Sequence, residues 1–326
     1  MFVPVLLFIV GLIALIKGGD WFVDGAVGLA RRFHLPELLI GATVVSIGTT
    51  LPEVMVSTTS ALGGHGEIAY GNAIGSVICN TSLIAAITVA VRPGSVDRKA
   101  LTTPVLFFFA AALLYAGVAY TAGYFSRIVG AALLVMFVVY MVVTVLQMKK
   151  APAGAAEDDD MPEAKDRPLA LDVFFLVLGA ALIAVGARLL VDNGTKIAQA
   201  LGVPESVIGL TFVALGTSLP ELVTAITALV KGHGALSLGN IIGANLFNLV
   251  LVSGMSVTLA PFAIPQGTTL AGRPASLVLD IPVMFGVMLL LTVPALVRGK
   301  LSRAQGILLL AVYAGFTALQ FAMGAL

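Results

Sequence analysis

Residues 36–53 read PELLIGATVVSIGTTLPE, and residues 204–221 read PESVIGLTFVALGTSLPE. The likeness runs on: residues 70–80 are YGNAIGSVICN and residues 238–248 are LGNIIGANLFN. The offset is 168 throughout, without a gap, and 20 of the 45 positions paired between 36–80 and 204–248 are identical. The shared residues include Gly48/Gly216, Pro52/Pro220, Glu53/Glu221, His65/His233, Asn72/Asn240 and Asn80/Asn248. Unrelated apolar helices would share leucine and valine. A common set of Gly, Pro, Glu and Asn marks a duplicated half.

Both copies lie in strongly apolar surroundings. Of 326 residues, 59% are hydrophobic and 11% are charged, against about 25% charged in an ordinary soluble domain. Such a chain has no polar coat, so it reads as a polytopic membrane protein. The apolar runs are long, which selects helices over a β-barrel. A net charge of +1 and the lack of a soluble segment of domain size give no case for nucleic acid. The single cysteine, Cys79, excludes an internal disulfide and a cysteine-only metal cluster and reads as a small apolar filler. The N-terminus lacks a basic stretch before its apolar run and reads as a first span, not a cleaved signal.

Hydropathy predicts ten spans, roughly at 3–30, 36–62, 68–91, 101–120, 128–147, 169–198, 204–230, 235–258, 275–297 and 304–324. The expected organisation is a first five-helix half at 1–150, an acidic linker at 151–168 and a second five-helix half at 169–326. The linker holds six acids and two bases, and its Ala, Pro and Gly content and charge run read as solvated chain; the alternative, a regulatory cation sensor, is disfavoured because the acids lack the spacing of a calcium loop. With the N-terminus outside, thirteen basic residues fall in inner loops and three in outer ones. Both termini are therefore expected outside and the linker inside, in a prokaryotic plasma (inner) membrane.

Five spans per half is an odd number, so the second half enters the membrane in the opposite sense. Inverted repeats of this kind place substrate sites near the midplane, at the interface of the repeats. The expected fold class is all-α, with ten transmembrane helices as two inverted five-helix repeats.

Glu53 and Glu221 are then symmetry-related carboxylates inside apolar spans. A charge there costs about 3 kcal/mol or more, and two adjacent ones call for a cation or a shared proton. Ser46, Thr50, Glu53 and Ser57 fall on one helical stripe, with Thr49 beside it. The second copy offers Thr217, Ser218 and Glu221. The following spans add Asn72, Ser76 and Asn80, and Asn240, Asn245 and Asn248. Pro52 and Pro220 cannot donate to the carbonyls of Gly48 and Gly216, which predicts freed backbone oxygens where each helix breaks. Carboxylate, hydroxyl, amide and carbonyl oxygens, without histidine or thiol, suit hard cations: Ca²⁺, with Na⁺ able to reuse the same oxygens.

GTTLPE with GNAIGSVICN, and GTSLPE with GNIIGANLFN, resemble the two α-repeats of the cation/Ca²⁺ exchanger superfamily, which contains the Na⁺/Ca²⁺ exchangers. The resemblance implies Ca²⁺ held by Glu53 and Glu221 with backbone carbonyls of Thr49 and Thr217. It implies Na⁺ sites at Thr50, Ser218, Ser76 and the carbonyls of Ser46 and Ala214, with Asn80 and Asn248 in the same ligand set. It also implies that the first and sixth spans slide as a gate and that no cofactor takes part. Ala244 stands where the family usually has Ser, which bears on one Na⁺ site. Asn248 stands where potassium-dependent relatives carry Asp. The GNAxEH motif of proton-coupled relatives is absent, which favours Na⁺ coupling.

The expected function is a cation antiporter exchanging Na⁺ for Ca²⁺ across the bilayer by alternating access, with cations and lipid as its partners. H⁺-coupled exchange of Ca²⁺ or another divalent cation on the same fold is the alternative. An intramembrane hydrolase fits poorly, because acid/base chemistry needs an asymmetric pair. A passive channel is a further alternative. Outside this set, Asp20 and Asp24 with Lys17, and Arg188 with Asp192, read as local ion pairs. His65 and His233 read as turn residues, and Asp280 receives no role.

Overall fold

The computed structural model describes residues 2–150, 168–201, 216–267, 269–270 and 272–324. The linker up to residue 167, the start of the second repeat and the expected ligand Ala214 lie outside the described residues. Ten helical segments follow in order: α1 (Phe2–Arg32), α2 (Glu37–Leu62), α3 (Gly66–Val91), α4 (Arg98–Thr121), α5 (Arg127–Lys150), α6 (Leu169–Ala200), α7 (described over Leu219–Val230), α8 (Gly234–Leu259), α9 (Ser276–Arg298) and α10 (Arg303–Gly324). All except α7 are, among the described residues, long and apolar enough to cross a membrane. Where both ends are described, the helices agree with the expected spans to within three residues, because each boundary lies within two positions of a Gly, Pro or charged residue.

The connections sort into two groups that do not mix. At one end, Lys231 meets Asp20, His233 meets Glu37, Ser95 bridges Lys300, and Leu301 N–H donates to the Gly94 carbonyl. At the other end, Tyr124–Phe125 pairs with Phe262–Ala263 in a short antiparallel ladder, and Ile264 N–H donates to the Gly123 carbonyl. The first is here called the linker end and the second the termini end. This alternation is what ten crossings require.

The two halves interleave. α8 is the most deeply buried span and packs on α2 and α3. α1 packs along α6. A Cβ built on Gly11 would meet the Gly186 carbonyl, and one on Gly18 would meet the Gly179 carbonyl. The offset of 168 relates Gly11 to Gly179 and Gly18 to Gly186, so each contact is the two-fold image of the other. Small residues let the backbones approach in this way, and the crossing displays the pseudo-symmetry of inverted repeats.

Among the described residues, four helices contain a widened π turn, at Gly41–Val45, Asn80–Ala85, Asn248–Val252 and Ser276–Asp280. Asn80 and Asn248 are repeat partners, so the widening is itself duplicated. Such turns free carbonyls from the helical ladder. In the first, Ser46 Oγ donates to the Gly41 carbonyl at 2.7 Å, and Tyr140 of α5 donates to the Ala42 carbonyl at 2.8 Å. Tyr140→Phe should cost about 1 kcal/mol, read as a lower melting temperature with unchanged helix content by circular dichroism.

The expected break at Pro52 is not found. α2 runs through it, and its irregularity lies earlier, at 41–45. Proline removes one hydrogen bond but leaves helical dihedrals accessible. In the second repeat the interruption does fall at the motif. Ser218 occupies the N-cap position of α7 without a side-chain capping bond, and Pro220 sits in the first turn, where a missing N–H costs nothing.

Candidate cation-binding site

Glu53 lies mid-way along α2 and Glu221 in the first turn of α7. Both are fully buried. The two carboxyls are close enough to act on each other electrostatically, and Glu221 sits beside the hydroxyls of Thr49 and Thr50. None of their four oxygens meets a hydrogen-bond donor among the described residues. An unpaired buried carboxylate is among the costliest groups in a protein, and here two share one interior.

Other buried side-chain oxygens on the same and adjoining helices are likewise without partners: Thr50 Oγ1, Ser218 Oγ, Asn80 Oδ1, Asn248 Oδ1, Asn245 Oδ1 and Thr224 Oγ1. They come from α2, α3, α7 and α8, which pack together. Orphaned acceptors are rare in folded proteins and call for an ion or water. A Ca²⁺ ion takes about 6–8 oxygens in flexible geometry, and the inventory exceeds that. Among the described residues no three His, Cys, Asp or Glu side chains cluster for a metal. The oxygen set thus carries two charges and is otherwise neutral, which matches one divalent ion or monovalent ones.

Some of the expected ligands are held by a scaffold across the repeats. Thr49 Oγ1 donates to Asn240 Oδ1 at 3.2 Å, and Ser46 Oγ shares its proton with the Asn240 carbonyl at 2.9 Å. Both side chains are buried, so their hydroxyls position α2 against α8. In the first repeat, Asn72 Nδ2 donates to Ser57 Oγ at 2.8 Å and to the Glu53 carbonyl at 3.4 Å. Asn248 Nδ2 donates to the Ala244 carbonyl at 3.0 Å, which turns its Oδ1 away from the helix.

Thr217 stands in the turn before α7. With Ser76 it lines a cavity of about 460 Å³ that extends along α3 to Asp280, Tyr313 and Gln320. Asp280, left without a role by the sequence, accepts from Gln320 Nε2 at 2.7 Å on the cavity wall. Thr224 is missing from the residues singled out by sequence. It lies three positions after Glu221 and so on the same face of α7, a spacing that could have found it.

Among the charged residues outside the site, the Arg188–Asp192 pair forms along α6 at 3.7 Å, as expected. The pairing of Asp20 and Asp24 differs from the local one expected. They meet Lys231, more than two hundred residues away, at 3.5 and 2.8 Å. Lys231 ends α7 within reach of α1, and sequence spacing carries no trace of that contact. His233 is a turn residue, as expected, and its Nδ1 lies 2.8 Å from Glu37 Oε1.

The family profile described as "Sodium/calcium exchanger protein" matches residues 3–146 and 171–322. "Uncharacterized membrane protein MJ0091" of Methanocaldococcus jannaschii is 37% identical over 310 residues, 94% of each chain. "Sodium/calcium exchanger MaX1" of Methanosarcina acetivorans is 31% identical over 350 aligned positions, covering 97% of this chain and 98% of the relative. A solved structure of the sodium-calcium exchanger NCX_Mj, soaked with Na⁺ and Ca²⁺, superposes with a TM-score of 0.81 at 34% identity and covers 98% of both chains.

Proposed function

The chain belongs to the sodium/calcium exchanger protein family, and from that premise we propose that it exchanges Na⁺ for Ca²⁺ at one shared site by alternating access. Members of this family are transporters, not enzymes, and work as cation antiporters on Ca²⁺ and Na⁺ without a cofactor. The hydrolase alternative therefore falls away.

One observation carries the finer reading. Glu53 and Glu221, fully buried and supplied by opposite repeats, face each other with every carboxylate oxygen unpartnered. Such a pair is stable only while something positive neutralises it. Ca²⁺ does so alone, and Na⁺ ions do so together. Competition for one pair of charges is what couples the two fluxes.

The proposed ligands are the Glu53 and Glu221 carboxylates with Thr49 and Thr217 for Ca²⁺. For Na⁺ they are Thr50, Ser218, Ser76 and the Ser46 and Ala214 carbonyls, with Asn80 and Asn248 at the two π turns. The halves 1–150 and 169–326 act as the two repeats. The excess of basic residues at the linker end supports an orientation with that end inside and the termini outside. An inward Na⁺ gradient then drives Ca²⁺ outward.

The test is ⁴⁵Ca²⁺ uptake into proteoliposomes under imposed Na⁺, K⁺ or H⁺ gradients. An outward Na⁺ gradient should drive saturable uptake, and K⁺ or H⁺ gradients of the same size should not. Uptake driven by H⁺ alone would overturn the Na⁺ coupling and favour proton sharing by the carboxyl pair.

A further inference from the structure

α1 and α6 pack on each other far more extensively than either packs on the remaining helices. They cross through the paired glycines described above, and Arg32 of α1 lies 3.6 Å from Asp172 of α6. Toward the core, Phe22 of α1 lies over Gly48 and Val191 of α6 over Gly216. Two helices so joined move as one body when the site changes sides. That step rests on the alternating-access reading above.

At the linker end Lys231 ties this body to the core. Lys231 Nζ lies 2.8 Å from Asp24 Oδ1 and 3.5 Å from Asp20 Oδ1, and it donates to the Asp20 carbonyl at 2.9 Å. The turn carrying Lys231 is itself fixed to the core. His233 meets Glu37 at the start of α2, and Arg92 at the end of α3 donates to the Leu229 carbonyl at 3.3 Å. A cation anchored on the core thus grips two carboxylates on α1.

The repeat reveals what stands at the opposite end. The offset of 168 relates Lys231 to Gly63, Asp24 to Asp192 and Asp20 to Arg188. At Gly63 the turn offers no side chain to match Lys231. The cation has moved onto the helix, where Arg188 pairs with Asp192 one turn away. At that end this charge pairing stays within α6. We infer that Lys231 is a one-sided tie that positions α1 and α6 so that the exchanger favours the state closed at the linker end. The cavity that reaches Ser76 and Thr217 lies toward the termini end, as that state requires.

Gly63 is the position where the opposite bias can be introduced. Its φ is −75°, and a Cβ there meets nothing closer than 3.4 Å, so a lysine fits without strain. The neighbouring Gly64, at φ +83°, would not accept one.

Hydrogen exchange on the purified full-length protein tests this without requiring transport. Lys231→Ala should speed exchange at residues 229–237 and, reciprocally, slow it at 61–69, each by roughly three- to tenfold. Lys231→Arg should keep the wild-type pattern. Gly63→Lys together with Arg188→Asp, which supplies the second carboxylate that Asp20 provides at the linker end, should reverse it in a Lys231→Gly background. Faster exchange at 229–237 with no change at 61–69 would show mere local loosening and overturn the proposal, as would unchanged exchange at both ends. Na⁺-driven Ca²⁺ flux in the same preparations separates the two questions. A wild-type protein without flux contradicts the transport reading. A fluxing wild type whose Lys231→Ala variant lacks the reciprocal change contradicts the tie.

Discussion

Replacing Glu53 by Gln should abolish Na⁺-driven Ca²⁺ uptake, with Ca²⁺ affinity falling on the order of 100-fold or more, because ligand charge sets affinity for hard cations. Glu221→Gln should do the same, since the two residues contribute equivalent charges from opposite repeats. The substitution keeps shape and volume and removes one charge. Without ions the variants should fold and melt at or above the wild-type temperature, because two buried like charges no longer repel. With Ca²⁺ the wild type should gain stability by mass action, and the variants should not. A thermal melt with and without Ca²⁺ separates these cases. A Gln variant that is still stabilised by Ca²⁺ would remove that glutamate from the site.

Gly239→Ala should have the next largest effect. A Cβ on Gly239 would collide with the Leu38 carbonyl, and the nearby Gly243 packs as closely on Ala42 and Ser46. Backbone faces backbone at this crossing, so no side chain can turn aside. The cost should be about 1–3 kcal/mol. The separation of α2 and α8 would also pull Asn240 from Thr49 and Ser46, so Ca²⁺ binding should weaken along with stability. Gly286→Ala serves as the control, since nothing lies within 4 Å of the Cβ it would add. Equal melting temperatures for the two variants would refute the close-approach argument.

Sequence periodicity and hydropathy were enough to place the helices and their alternation, because each boundary is set by a local residue. The glutamate pair was legible as well, since a charge in an apolar run and its copy 168 residues later need no coordinates. The π turns were not. Asn80 and Asn248 continue an ordinary helical pattern, and at the Gly41–Val45 turn the freed carbonyls are met by Ser46 and by Tyr140 from another helix. Pro52 misled for a related reason: a proline marks a missing donor, and the surrounding packing decides whether the helix bends. The grip of Lys231 on Asp20 and Asp24 joins residues far apart in sequence. Its meaning emerges only when Gly63 and Arg188 are compared at the repeat-related positions.

The most direct test of a single shared site is equilibrium ⁴⁵Ca²⁺ binding to the purified protein during a Na⁺ titration. The proposed shared site predicts saturable Ca²⁺ binding that Na⁺ displaces with a Hill slope above one, at unchanged ionic strength, and that vanishes in Glu53→Gln. Ca²⁺ binding that is indifferent to Na⁺, or that survives loss of Glu53, would contradict it.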